Sequence, residues 1–255
     1  NNDSITATSS TGYSLGDMND YNHGGGSFVS WSWKAGGAGS SNTDADITST
    51  VSANTDAGIS VVNYTMPSTG RSYVGHGLGV KPEMIISKDI PGGTYNTAVF
   101  HEDACDSTSK FLRLNTTDSI VTYSTVWGEY LPTSVRFGAT TGGVAPASSE
   151  VISYCFASVE GFSKIGSYVG NGDADGAFIY TGFRPAYVMV KRTDSTNNWT
   201  INDSTRTPYN EITGSSSTLY ADSTSIESNL GTNVDFLSNG FKTRTAAAHR
   251  NASGG

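Results

Sequence analysis

Short apolar runs alternate with polar, turn-forming stretches along most of the chain. Between residues 57 and 161 they predict seven strands, at residues 59–64, 84–88, 96–100, 111–115, 120–125, 134–138 and 150–159. Gly, Pro and Asn separate these runs, and no helical period persists over three turns. Short strands with turn signals between them are typical of a sandwich or barrel. We therefore predict an all-β fold of antiparallel β-sandwich domains.

One part of this pattern occurs twice. The turn Gly79-Val80-Lys81-Pro82 precedes a mostly apolar run at residues 84–88, and Gly182-Phe183-Arg184-Pro185 precedes one at residues 187–191; both runs end in Lys. Each proline stands at a strand entrance, where its missing N–H does least harm. Self-similarity of this kind predicts tandem domains of one repeated design.

The ends of the copies define the predicted domains. Residues 27–34 and 150–157 are each predicted to be a closing strand, and large and small side chains alternate at residues 31–33 and 153–156 within them. The last copy ends at Gly255, just where its closing strand should begin, so we expect the full chain to continue. The predicted divisions are the C-terminal strands of a preceding repeat (1–35), a Gly/Ser/Asn/Asp-rich linker (36–56), a complete repeat (57–161) and a second repeat truncated before its last strand (162–255).

Charge and composition narrow the function classes. The formal net charge is -8, without a basic cluster, which argues against binding to nucleic-acid phosphates. No apolar run approaches the roughly 20 residues that cross a bilayer, so we predict no membrane insertion. Cys155 lies in a predicted strand and Cys105 in a polar loop, and we interpret them as a buried thiol and an incidental loop thiol rather than a disulfide.

The densest ionisable cluster does not predict an enzyme. His101, Glu102 and Asp103 lack the second His of a zinc-binding helix, because Cys105 occupies its place. The comparable region of the second copy has no His. We interpret the cluster as a solvated turn and predict no catalytic residue and no cofactor.

One loop has a partial resemblance to a calcium site. Asp173 and Asp175 lie in a Gly- and Asp-rich loop, but no distant bidentate Glu follows at the proper spacing. The same residues suit a turn with positive φ, so these aspartates are weak metal candidates. The glycines of residues 75–79 do not open a helix, which disfavours a phosphate cradle.

Aromatic residues near polar or turn positions are the candidates for stacking on a sugar ring. They are Tyr95, Trp127, Tyr130, Trp199 and Tyr209. The alternative interpretation places them in the core or in a subunit interface.

Several motifs resemble a repeat domain of tail-fibre and virion structural proteins of marine bacteriophages, including those of cyanobacteria and other ocean bacteria. The motifs are residues 28–37, the Gly-x-basic-Pro turns, residues 153–164 and residues 170–185. The resemblance covers nearly the whole chain. It implies a place on the virion surface or tail, extracellular when mature, with other copies of the chain and other virion proteins as partners. It supplies no catalytic residues.

The leading hypothesis is a virion structural module, in a tail fibre, tail or capsid appendage, that acts by assembly and loop presentation. One alternative is a carbohydrate- or receptor-binding adhesin module for host attachment, with a host surface glycan as partner. A polysaccharide-degrading tailspike would need two carboxylates about 5 to 10 Å apart. The last alternative is an extracellular filament or surface protein.

Overall fold

The chain is nearly all-β in a computed structural model, which describes residues 4–9, 11–90, 95–206, 210, 217–229 and 234–255. The α-helices of these residues are single turns, α1 (Asn19–Asn22) and α2 (Ala248–Asn251). The strands pair antiparallel throughout, so the predicted all-β, antiparallel class is confirmed. The chain divides into two compact units, Asn1–Trp33 and Lys34–Gly255.

The first unit contains a hairpin of β1 (Ile5–Ser9) and β2 (Gly12–Leu15), whose described side chains are exposed. Residues 27–34, predicted as a closing strand, belong to no strand of the structure, so that prediction is wrong here. An alternating pattern forms a strand only beside another strand that pairs with its N–H and C=O groups.

The second unit begins with ten strands in its described residues up to 156. They are β3 (Ser40–Asn42), β4 (Ser49–Asn54), β5 (Ile59–Thr65), β6 (Arg71–Gly75), β7 (Met84–Asp89), β8 (Ala98–His101), β9 (Lys110–Arg113), β10 (Val121–Thr122), β11 (Arg136–Thr140) and β12 (Glu150–Phe156). Eight of them form one sheet in the spatial order β10-β9-β8-β7-β12-β5-β4-β3, and β6 pairs separately with β11.

β12 lies in the middle of the large sheet, between β5 and β7. Val151, Ser153 and Cys155 are fully buried, while the residues between them are partly exposed. This period of two is expected for a strand with one face on a core. The buried Ser153 hydroxyl lies 2.7 Å from that of Ser87 on β7, so the two hydroxyls satisfy each other.

β3 and β4 lie within residues 36–56, and the prediction of a linker is wrong for both strands. β4 extends the sheet beyond β5, with Val51 opposite Val62. Ser49 is buried and donates its hydroxyl to the carbonyl oxygen of Gly75 at 3.2 Å. Ser49 thus occupies an inward-facing position where an apolar residue would indicate a strand. For this reason residues 36–56 have the composition of a linker.

β6 and β11 pack against the large sheet over a shared apolar core. The Phe137 ring of β11 meets the Tyr64 ring of β5 edge to face, with centroids 6.1 Å apart at 72°. Phe100 and Trp127 form a similar edge-to-face contact at 5.8 Å. The aromatic residues of this region therefore serve mainly to fill its core.

The described residues beyond 162 form seven strands. They are β13 (Phe178–Tyr180), β14 (Tyr187–Val190), β15 (Thr200–Asp203), β16 (Ser217–Tyr220), β17 (Ser228–Asn229), β18 (Val234–Leu237) and β19 (Gly240–Thr243). Their spatial orders are β13-β19-β18 and β14-β15-β16-β17. An apolar cluster of Val188, Val234, Phe236 and Phe241 joins the two sheets.

The two regions of the second unit share a strand order. β7 to β10 form a meander in which each strand pairs with the next, and β14 to β17 do the same. Each meander begins two residues after a proline, Pro82 or Pro185, as the repeated turn predicts. Gly79 and Gly182 have φ values of +72° and +86° in these turns, a conformation that glycine adopts without strain.

An aromatic contact also recurs. The rings of Tyr168 and Phe241 meet edge to face, with centroids 6.2 Å apart at 82°. Tyr168 follows Tyr64 by as many positions as Phe241 follows Phe137, so the two ring pairs are equivalent in sequence. The regions differ at one point: Tyr64 lies in β5 beside β12, whereas residues 164–170 around Tyr168 form no strand.

Candidate functional site

An apolar seam joins the meander β7–β10 to the meander β14–β17, and we call it the Trp199 seam. Its buried members are Val99, Leu112 and Trp199, and the side chains packed against them are Met84, Ile86, Ala104, Leu114, Ile120 and Met189. Because this cluster draws on both meanders, the predicted boundary between residues 161 and 162 does not separate two compact units.

Trp199 lies at the centre of the seam and is only 4% exposed. Its indole N–H donates to the carbonyl oxygen of Arg113 on β9 at 2.7 Å. Its backbone N–H donates to the Asp222 carboxylate at 2.9 Å, and the Asn198 amide donates to the same carboxylate at 3.0 Å. The ring is therefore not available to stack on a sugar, and its prediction as a surface ligand-binding residue is wrong.

Polar contacts cross the seam beside the indole. The Lys191 ammonium donates to the carbonyl oxygen of Thr117 at 3.0 Å, and burial lowers the pKa of this ammonium. The Asn197 backbone N–H donates to the same oxygen at 2.9 Å, and Ile120 N–H donates to the carbonyl oxygen of Thr193 at 2.8 Å. Backbone groups of the two regions thus bond directly, which restrains hinge motion between them.

Trp127 is also buried, with 0% exposure, in the core beneath β6 and β11. Its indole N–H donates to the carbonyl oxygen of Lys110 at 3.1 Å. A tryptophan whose N–H is bonded and whose ring is enclosed has the geometry of a core residue. The prediction of Trp127 as a surface ligand-binding residue is therefore wrong.

Tyr130 lies on the surface, as its prediction requires, and is 60% exposed. Its ring stacks on Tyr73 at 6.3 Å and 23°, and the Arg136 guanidinium lies 4.2 Å from the centroid of the Tyr73 ring. The Tyr73 hydroxyl accepts the N–H of Glu129 at 3.2 Å, which orients the ring. These three side chains, Tyr73, Tyr130 and Arg136, form what we call the tyrosine stack.

The other two tyrosine candidates do not join this group. Tyr95 is exposed, and its hydroxyl lies near Gly142 rather than in the tyrosine stack. Tyr209 lies outside the residues that the structure describes.

In the loop of residues 170–176, both aspartate side chains bond to other groups of the protein. The Asp175 carboxylate pairs with Lys242 at 2.7 Å and with Arg244 at 3.2 Å. The hydrogen bond and charge of Lys242 lower the pKa of Asp175, and Arg244 adds to this effect. Asp173 accepts the backbone N–H of Asp175 at 2.8 Å. Two cationic side chains already neutralise Asp175, which disfavours a calcium ion there.

Asn251 is the residue that shapes this loop, and it is fully buried. Its amide donates to the Asn171 side chain at 2.7 Å and to the carbonyl oxygens of Asp173 and Thr245 at 2.8 and 3.0 Å. Its side-chain oxygen accepts the Asn171 backbone N–H at 3.0 Å. The loop is therefore part of the packed structure of this region.

The cluster at residues 101–105 is not assembled as a catalytic dyad. The Cys105 sulfur accepts the backbone N–H of His101 at 3.5 Å, and burial raises the pKa of this thiol to about 11. Burial lowers the pKa of the His101 imidazole, and Glu102 pairs with Lys81. Cys105 and Cys155 are both free and buried, so Cys105 is not the incidental loop thiol that the sequence predicts.

Sequence reasoning missed Tyr73, Arg136 and Lys191. The first two meet because β6 pairs with β11, with Arg136 opposite Gly75. Strand pairing across such a long stretch of chain leaves no local signal. The Lys191 ammonium ends a repeated apolar run, and that repeated position was the signal available for it.

The described residues contain no group of three or more His, Cys, Asp or Glu side chains able to hold a metal ion. No helix in the same part of the chain has the length and apolar character needed to cross a bilayer.

The family described as "Domain of unknown function (DUF7483)" matches residues 1–255, and the chain belongs to this family. A search of curated proteins and a search of solved structures found no significant match.

Proposed function

We propose that this member of the family is a virion structural module, in a tail fibre, tail or capsid appendage, built from tandem copies of one β-sandwich design. It acts by packing with other copies and with other virion proteins, and by presenting its loops outward. The resemblance to marine bacteriophage tail and virion proteins gives the biological setting. The shared strand order and the matching Tyr64–Phe137 and Tyr168–Phe241 contacts support the repeated design.

The observation that carries the proposal is the Trp199 seam. Domains within one chain usually meet through small polar contacts and move relative to each other. Here a buried indole, an apolar cluster and backbone hydrogen bonds join the two meanders. A stiff connection between successive units is what a fibre or appendage requires, since it transmits force and holds its loops at fixed positions.

The distribution of ionisable groups is consistent with a structural role rather than an enzyme. Described acidic residues such as Asp175 and Glu102 pair with basic side chains, and the Asp222 carboxylate orders the backbone at Trp199. Catalysis by a carboxylate pair or an activated nucleophile needs such groups directed at a shared cleft.

Immunogold labelling of purified virions with an antibody against the chain tests this function. The expected result is regular decoration of one appendage, at a copy number that mass spectrometry of the same particles reproduces. Detection of the chain only in soluble fractions, with unlabelled particles, would overturn the proposal. Localisation on a cellular filament or cell surface would instead favour the extracellular filament alternative.

The tyrosine stack favours a second function, binding of a host surface glycan by the same module. Tyr130 is exposed and is held by Tyr73, and aromatic faces of this kind stack on the apolar face of a sugar ring. Arg136 adds a planar guanidinium suited to a sugar carboxylate. This partner is therefore an acidic polysaccharide.

A glycan array probed with the wild-type chain and with Tyr130→Ala tests this function. Binding to acidic glycans that Tyr130→Ala abolishes is the expected result. Tyr123→Ala is the matched control, because Tyr123 is similarly exposed but lies outside the stack. Equal binding by both variants, or no binding by the wild type, would remove the glycan function.

A further inference from the structure

Two aromatic side chains lie next to each other on the exposed face of β13. Phe178 and Tyr180 are 46% and 67% exposed, whereas Ile179 between them packs against the apolar cluster of the second region. Alternate residues of a strand share a face, so the two rings lie side by side. We call Phe178 and Tyr180 the aromatic shelf.

A glycine of the neighbouring strand β19 supports the aromatic shelf. Gly240 lies directly opposite Tyr180. A Cβ atom at this position would lie 2.1 Å from the carbonyl oxygen of Ile179 and 3.0 Å from Cε2 of Phe178. The Phe178 ring therefore lies against the backbone of Gly240, and no side chain at position 240 separates the two rings.

The aromatic shelf occupies the position that the tyrosine stack has in the first region. Phe241, the equivalent of Phe137, pairs with Ile179. Phe178 precedes Ile179, just as Tyr73 precedes the residue that pairs with Phe137. Phe178 is therefore the equivalent of Tyr73. Exposed aromatic residues thus recur on equivalent strands of the two regions.

Charged side chains border the aromatic shelf and compensate one another. Lys242 lies opposite Phe178, and its ammonium pairs with the Asp175 carboxylate at 2.7 Å. Arg244 pairs with the same carboxylate at 3.2 Å and with Asp235 at 3.3 Å. Two cations and two carboxylates therefore leave no net charge. Both contacts of Asp175 use Oδ1, and its Oδ2 has no hydrogen-bond or ion-pair partner among the described residues.

We propose that the aromatic shelf binds neutral sugar residues of a polysaccharide. Aromatic rings of this kind stack on the apolar face of a sugar. Asp175 Oδ2 accepts a hydrogen bond from a sugar hydroxyl, and the Lys242 ammonium donates one. Because the bordering charges cancel, a neutral sugar fits this shelf, whereas Arg136 suits the tyrosine stack to an acidic one. The inference rests on the proposed glycan function and adds a second subsite to it.

Affinity gel electrophoresis with neutral polysaccharides tests this subsite. The chain is run in gels that contain dextran, mannan or galactan, and the loss of mobility gives the affinity. We expect retardation in at least one gel and a weakening by about tenfold in Tyr180→Ala. Phe162→Ala is the matched control, because Phe162 is 59% exposed but lies outside the shelf. No retardation in any gel, or equal retardation of the wild type and Tyr180→Ala, would overturn the inference.

Two further variants separate ring stacking from a general apolar contact. Tyr180→Phe keeps the aromatic ring and should retain most of the affinity. Tyr180→Leu keeps an apolar side chain without a ring and should lose about as much affinity as Tyr180→Ala. Circular dichroism of each variant shows whether the fold is intact. Full retardation of a folded Tyr180→Leu would contradict stacking on a sugar.

Sedimentation of the same variants tests whether another copy of the chain covers the shelf instead. We expect the wild type and Tyr180→Ala to have the same oligomeric state, because the shelf binds a sugar. A Tyr180→Ala chain that dissociates from an oligomer and keeps its retardation would identify the shelf as an interface between copies. That result would overturn the inference.

These results are separable from the test of the tyrosine stack. Acidic-glycan binding that depends on Tyr130, without retardation that depends on Tyr180, would overturn the aromatic shelf alone. Retardation that depends on Tyr180, without any acidic-glycan binding, would remove the tyrosine stack alone and leave the shelf supported.

Discussion

The indole N–H of Trp199 donates to the carbonyl oxygen of Arg113 across the seam between the two meanders, at 2.7 Å. The donor precedes β15, the second strand of its meander, and the acceptor ends β9, the third strand of the other meander. It places a large aromatic side chain where a hinge would otherwise lie. The proposed role as an assembling structural module depends on the stiffness of this connection.

Truncation of the seam tryptophan is predicted to destabilise the whole second unit. Trp199→Ala removes the buried ring and leaves the Arg113 carbonyl oxygen without its donor, at a cost of about 3–5 kcal/mol. Trp199→Phe keeps much of the side-chain volume, so it should reduce the free energy of unfolding by roughly 1–2 kcal/mol less than Trp199→Ala does. Urea unfolding followed by circular dichroism measures both.

Tyr123→Ala serves as the control for that series, because its ring is exposed and its loss should cost under about 1 kcal/mol. Equal effects of Trp199→Ala and Tyr123→Ala would contradict the placement of Trp199 in a buried seam.

Three histidines should make the fold less stable in mild acid. Burial lowers the pKa of His76, His101 and His249, the last to about 4. Between pH 6.5 and these lowered values the unfolded chain binds more protons than the folded chain. Stability is therefore full above about pH 6.5 and declines as the pH falls toward about 4.

Urea unfolding at about pH 7.5 and about pH 5 measures this decline. His249→Gln should reduce the difference between the two conditions, because it removes one of the three groups. His23→Gln is the control, since His23 is exposed in the first unit. A difference that His249→Gln leaves unchanged would refute the role of that imidazole.

Both thiols are predicted to be unreactive in the folded protein. Burial raises the pKa of Cys105 to about 11 and raises that of Cys155 further, and neither side chain reaches solvent. The thiolate is the reactive form. A chromogenic disulfide reagent at about pH 8 should label neither thiol in the native chain and both after denaturation. Rapid release of one equivalent of chromophore on reaction with the native chain would contradict this prediction.

Asn251 is predicted to be the main support of the 170–176 loop. Asn251→Ala removes the amide group that is shared among the Asn171 side chain and the carbonyl oxygens of Asp173 and Thr245, and also the oxygen that accepts the Asn171 N–H. The expected loss of stability is on the order of 2–4 kcal/mol. Asn239→Ala, at an exposed turn, is the control and should change little. Thermal unfolding monitors both, and a calcium-dependent shift in the wild type would show that the loop binds metal after all.

The sequence predicted the strands whose inward positions are apolar. β5, β7 and β12 match residues 59–64, 84–88 and 150–159 closely at their starting residues. β4 was missed because Ser49 occupies one of its inward positions and bonds to Gly75. A polar residue that a neighbouring backbone satisfies looks the same in sequence as a linker residue.

The candidate ligand-binding residues were harder to predict for a related reason. Trp127 and Trp199 lie among polar neighbours in the sequence, which favoured a surface position. In the structure each indole N–H meets a backbone carbonyl oxygen of a distant strand, at Lys110 and Arg113, so the ring can be buried. Tyr130 lies at the surface, and its contact with the stacking partner Tyr73 depends on long-range strand pairing that the sequence does not show.

Electron cryomicroscopy of the assembled particle or filament would show most directly whether matching strand-rich units pack stiffly and assemble with their neighbours. We expect density for repeated copies of this chain in contact with each other, in which Trp199 is enclosed between the two meanders and the Tyr64–Phe137 and Tyr168–Phe241 contacts overlay. A chain that is absent from every assembly, or one in which the two meanders adopt unrelated arrangements around a solvent-exposed Trp199, would refute the proposed structural role.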